Sequence, residues 1–218
     1  MRKTTWIFLL ALLAFNAQAQ YKSFNFGLKA SPQICWMKPN MDGYSNNGVK
    51  LGFSWGFISD FNFSENHSIS TGFDILYYGG KIKAPATAQG DTSIQQKSNY
   101  SLKYLQIPLT LKMRTNPING IRYFGRIGLG TSFRINAKKT DSFALSIGHK
   151  DDITTSNFEK AAFVSESLIV GMGGEYELKG GPKLGLELAF NNGFTNVLTQ
   201  SGQMASPNFV ELAFSVIF

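Results

Sequence analysis

Three carboxylates and four cations stand out because each occupies the polar parity of an alternating segment: Glu175, Glu187 and Glu211, and Lys112, Arg122, Arg126 and Arg134. The other parity of the same segments is apolar, so the charged side chains are expected to share one enclosed space. Charges taken out of water must be paired and hydrogen-bonded. Reflecting the flanking segments about the short stretch "KGGPK" puts Glu175 opposite Glu187, with Glu211 on the neighbouring last segment. An acidic wall would then face a basic wall, with Glu187 and Glu211 against the arginines at the centre. This set reads first as a static ion-pair plug, since pairing accounts for the charges. The competing reading is a gated pathway or a small-ligand site.

Catalytic chemistry has less to build on. His67 and His149 are the only histidines. One falls in a short polar turn and the other in a long loop at the opposite end, so they cannot share a metal. His149 is followed by Lys150, Asp151 and Asp152, a solvated loop tip rather than a nucleophile with its base. "GYSNNGVK" has Val49 where a phosphate loop needs lysine, and no helix follows. Cys35 is the single cysteine, which excludes an intramolecular disulfide and a multi-cysteine metal site, and it is read as a loop residue. The expectation is no enzyme, no metal and no cofactor.

Period-two alternation supplies the positioning elements. Phe24, Phe26 and Leu28 oppose Asn25, Gly27 and Lys29. Leu51, Phe53, Trp55 and Phe57 oppose Gly52, Ser54 and Gly56. Leu105, Ile107, Leu109 and Leu111 oppose Gln106, Pro108, Thr110 and Lys112, and the chain ends on "FVELAFSVIF". About eight such segments follow one another. Their connections alternate between short turns ("SENHS", "TNPING", "KGGPK") and long polar stretches at 35–47, 79–99, 137–160 and 195–207. Short turns at one end and long loops at the other are the outer-membrane barrel pattern, whereas a soluble sandwich has no reason to sort its loops by parity. The fold class is therefore all-β: an eight-stranded antiparallel up-and-down transmembrane β-barrel, with apolar side chains toward lipid and the polar parity in a narrow lumen.

Residues 1–19 read as a signal peptide: Arg2 and Lys3, the apolar run from Trp6 to Phe15, then Ala17-Gln18-Ala19. The barrel domain is assigned to 20–218. The formal charge of +7 becomes +5 once Arg2 and Lys3 are removed, and the basic residues form no run, which argues against nucleic acid as a partner. Phe218 falls on the lipid-facing parity and is assigned as a C-terminal assembly signal for the barrel-insertion machinery. The expected location is the outer membrane of a Gram-negative bacterium. The expected surroundings are outer-membrane lipid and an outer-membrane or periplasmic protein partner whose identity stays open.

The leading segment, "FGLKAS" in the first strand, "YLQIPLTLK" from Tyr104 to Lys112, "VGMGGEYEL" from Val170 to Leu178 and the terminal aromatic together resemble the PorT-like outer-membrane β-barrel family of Bacteroidota. The resemblance spans essentially the whole mature chain. It implies a small barrel, and, because the family takes its name from a member needed for secretion of surface proteins, it implies a role as a scaffold or accessory subunit in secretion or surface assembly. It carries no catalytic residues. Trp36, Met37, Met41 and Tyr44 are the apolar residues expected to make contacts from the first long loop. A small passive pore or ligand-binding barrel is the alternative, and a membrane-embedded hydrolase comes after it.

Overall fold

The computed structural model describes residues 23–85, 87–89, 92–145, 150–156, 158, 160–179, 181–200 and 203–218. Residues 1–19, read above as a signal peptide, Gln20 and His149 lie outside the described residues. The elements are β1 (Phe24–Pro39), β2 (Ser45–Asn46), β3 (Lys50–Asn62), β4 (His67–Lys83), β5 (Thr87–Gln89), β6 (Thr92–Arg114), β7 (Ile121–Leu145), β8 (Lys150–Ser156), β9 (Val164–Glu177), β10 (Lys183–Gly193), β11 (Leu198–Gln200) and β12 (Gln203–Ile217).

Eight of these strands, β1, β3, β4, β6, β7, β9, β10 and β12, pair antiparallel with their sequence neighbours, and β12 returns to β1, so the sheet closes. The remaining four are short strands that pair with β4, β6, β7 and β12. Closure requires the strands to be staggered and tilted. Following partners once around the ring from Phe26, through Ser59, Thr71, Leu109, Leu129, Leu168, Asn192 and Asn208, leads to Trp36, well up the strand from the starting point. The turn between β6 and β7 shows why the short connections are tight. Asn119 and Gly120 both have positive φ, at 53° and 81°, and Ile118 and Ile121 exchange backbone hydrogen bonds of 2.9 and 3.0 Å across them. That is the Asn-Gly preference of a two-residue hairpin.

Toward the short turns the outward parity is apolar: Phe26, Leu28, Trp55, Phe57, Leu109, Ile127, Leu129, Leu186 and Phe214 are all exposed on the outer wall. An apolar band of this extent is the lipid-facing surface of a membrane barrel.

Further up, the pattern inverts. Tyr78, Ile82, Tyr100, Leu102, Ala137 and Phe209 point inward and are buried, while Lys81, Lys97, Ser101 and Lys138 are exposed. The segments read as long polar loops are therefore largely strand: β1 runs to Pro39, β4 to Lys83, β6 begins at Thr92 and β7 continues to Leu145. The physical reason lies in the solvent. Below the inversion the outside is lipid and the apolar parity faces it. Above it the outside is water, and the same closed sheet buries its apolar parity as a soluble barrel does. A reading that equates apolar with outward sees the upper part as loop.

Candidate functional site

The lumen is filled in layers. Nearest the short turns, Lys112 from β6 donates to Asp60 of β3 at 3.0 Å and to Glu175 of β9. Arg114, two residues along the same inward parity, bonds the same two carboxylates, reaching Glu175 Oε2 at 3.3 Å, and adds Asn62 at 3.0 Å and Ser68 at 2.9 Å. Two cations and two carboxylates thus neutralise one another in a buried square, as charges in a low-dielectric space must.

The next layer joins β1, β4, β7, β10 and β12. Lys29 donates to Asp74 at 2.8 Å and lies 3.5 Å from Glu211; Arg126 bonds Glu187 and lies 3.7 Å from Glu211. Gln33 at 3.2 Å and Ser54 at 3.3 Å donate to the other Glu211 oxygen. Glu211 is the hub because it faces both cations. This layer carries three carboxylates against two cations, and Asp74 Oδ1 is buried without a hydrogen-bond partner. Room for Glu187 comes from Gly171, where an added Cβ would collide with the Glu187 carboxylate. Above it Gln106 gathers Ser132 at 3.2 Å, Ser167 at 3.3 Å and Asn191 at 3.4 Å in a neutral layer.

The upper lumen is mainly aromatic and aliphatic, with Lys139 paired to Asp141 at 2.9 Å beside it. Tyr78 packs on Tyr104 and Phe209 with ring centroids 5.6 and 5.9 Å apart, and Tyr100 meets Phe158 edge-on at 5.8 Å. Tyr104 keeps its hydroxyl satisfied by donating to the Ala162 carbonyl at 2.6 Å. Cys35, Met37, Val197 and Leu198 complete this core with no exposed surface. Arg134 fastens the covering segment by donating to the carbonyls of Phe158, at 3.3 Å, and Ala161.

Five of the seven charged residues singled out in the sequence, Lys112, Arg126, Glu175, Glu187 and Glu211, meet in the two ion-pair layers. Arg122 does not: it sits at the short-turn rim, 3.8 Å from the exposed Glu65. Arg134 lies above these layers and donates to the backbone carbonyls of Phe158 and Ala161. The acidic and basic walls also fail to form. Across "KGGPK" the last pair is Glu177 with Lys183, which sets Glu175 opposite Gly185 and Glu187 opposite Gly173. A turn centred one residue earlier than expected slides the strands, and the carboxylates interleave with cations. Lys29, Asp60, Asp74 and Arg114 were missed as members, although each lies on the inward parity of its strand and that parity was the available signal. Cys35, Trp36 and Met37 belong to β1 and not to a loop. Cys35 and Met37 are sealed in the upper core, and Trp36 is on the outer wall, stacked on Phe190 at 6.1 Å. Tyr44 packs against the upper core and Met41 accepts the Met204 N–H at 3.2 Å, so neither is a free contact.

A family model described as outer membrane protein beta-barrel domain matches residues 16–199. The chain belongs to that family. It is an integral outer-membrane protein, and the inversion of the sheet marks where its outer wall leaves the bilayer. The barrel is similar to several solved structures. Neisserial surface protein A is 15% identical with a TM-score of 0.46, covering 90% of this chain and 96% of the other. Ail of Yersinia pestis is 14% identical with a TM-score of 0.42, covering 90% and 100%. OprG of Pseudomonas aeruginosa is 11% identical with a TM-score of 0.42, covering 91% and 97%. No curated protein matches.

At the short-turn rim of this outer-membrane barrel, His67 faces Ser64 Oγ at 2.9 Å. The same oxygen accepts the His67 backbone N–H at 3.0 Å, so the pair is built into the turn. Among the described residues no group of His, Cys, Asp or Glu is arranged to hold a metal ion.

Proposed function

We propose that this barrel is a non-enzymatic outer-membrane scaffold or accessory subunit, and not a pore. The observation that carries this reading is the doubly filled lumen: an ion-paired section below and an aromatic section above, each spanning the interior between facing strands. A conduit needs a hydrated path, and a barrel of eight strands is only wide enough for its side chains to fill. The resemblance to PorT-like proteins adds secretion or surface assembly as the process served. Phe218 supports its part as an assembly signal by closing the ring: it exchanges hydrogen bonds of 2.7 and 3.3 Å with Phe26 and stacks on that ring at 5.5 Å.

Two measurements test the reading. Reconstituted in planar bilayers, the native barrel gives no unitary conductance steps. Extracted from outer membranes in mild detergent, it migrates with a stoichiometric protein partner. Regular conductance steps from a monodisperse monomer would establish the pore instead.

A further inference from the structure

Every cation inside the described lumen has a carboxylate or a set of carbonyls against it, but three lysines whose side chains meet at one cavity of the outer wall have no carboxylate against them. Lys50, Lys103 and Lys138 line a cavity of ≈ 380 Å³ together with Leu51, Tyr77 and Asn136. None of the three lysines has a carboxylate within ion-pair distance among the described residues. Lys50 is held in place by neutral acceptors only: Ser101 Oγ at 2.6 Å, the Tyr100 carbonyl at 3.1 Å and Asn99 at 3.2 Å. It reaches that carbonyl across Gly79, where a Cβ would collide with the same oxygen. Lys103 lies over the Tyr77 ring at 5.0 Å.

The third lysine is outside by virtue of a β-bulge. Below it β7 and β6 pair Arg134 with Tyr104; above it Lys103 pairs with Asn136, which leaves Ile135 as the extra residue. Ile135 and Asn136 are consequently both exposed, and the outward parity of β7 shifts to Asn136 and Lys138. Without the bulge, Lys138 would enter the upper core. Bulges commonly re-aim a side chain in this way near sites of function.

The position of the cavity selects its occupant. Leu51 and Tyr77 are the top of the lipid-facing apolar parity, and Lys103 and Lys138 stand at and just above the level where the sheet inverts. We propose that this groove binds the phosphorylated headgroup of an outer-leaflet lipid, with the ammonium groups on the phosphate and Leu51 and Tyr77 along the first part of an acyl chain. Charge complementarity and continuity with the lipid-facing wall distinguish this occupant from a soluble anion or a protein.

The test uses the full mature barrel in zwitterionic phosphocholine nanodiscs, titrated with bis-phosphorylated lipid A and read by native mass spectrometry. The wild-type protein retains the bis-phosphorylated lipid and not its dephosphorylated form, and millimolar inorganic phosphate does not displace it. Lys103→Gln with Lys138→Gln lowers retention by about five-fold per lysine, roughly 25-fold together. Lys97→Gln, on the outer wall above the groove, leaves retention unchanged. Folding of each variant is checked independently by heat-modifiable gel migration. Equal retention of the dephosphorylated lipid, an unaffected double variant, or an equal loss with Lys97→Gln overturns the site. Displacement by inorganic phosphate overturns the lipid as its occupant.

Discussion

Replacing Arg126 by methionine isolates one ion pair in the lumen and gives its cost a definite size. Arg126 is 7% exposed and Glu187 8%, so neither reaches water when the other is removed. Glu211 keeps Lys29, Gln33 and Ser54, but Arg126 is the cation that pairs with Glu187. Leaving a buried carboxylate unpaired costs about 3–5 kcal/mol. Arg126→Met should therefore lose about 3–5 kcal/mol at neutral pH. Adding Glu187→Leu removes the orphan and recovers most of the loss, since a buried pair exchanged for apolar groups of similar volume is often neutral. Reversible urea unfolding from lipid vesicles, followed by the emission of Trp36 and Trp55 on the outer wall, measures all three. A loss below about 1 kcal/mol, or a double variant no better than the single one, would refute the reasoning.

The excess carboxylate in the same layer predicts an asymmetry. Asp74→Asn restores charge balance and shifts the urea midpoint little, whereas Lys29→Met leaves three carboxylates with one guanidinium and costs about 3–5 kcal/mol in the same assay. Gly171→Ala drives a methyl into the Glu187 carboxylate and lowers stability by about 1–3 kcal/mol, an effect that Glu187→Ala relieves. Cys35, sealed in the upper core, is labelled by a maleimide at the rate of local opening, so alkylation of the folded barrel is slow and becomes immediate in denaturant. Prompt labelling of the folded protein would show that the upper lumen is open.

Strand identity, barrel closure and the polar lumen are legible in the sequence because the side-chain period of a strand is two, and a narrow barrel in lipid must sort its residues by that period. Phe26, Leu109 and Phe214 announce the outer wall, just as Lys112, Arg126 and Glu187 announce the interior. The choice of partners was not legible. A turn displaced by one residue after Glu177 changes which carboxylate meets which strand, and alternation is silent about turn centres. The upper barrel was hidden for a different reason. Tyr78, Tyr100 and Phe209 follow the same period with the opposite sense, and only the closed sheet shows that water has replaced lipid outside them. The outward placement of Lys138 depends on a single bulge beside Lys103, a backbone irregularity with no residue signature of its own. Local period is written in the chain one residue at a time, whereas register, stagger and the level of the membrane arise from all eight strands closing together, and so belong to the tertiary structure alone.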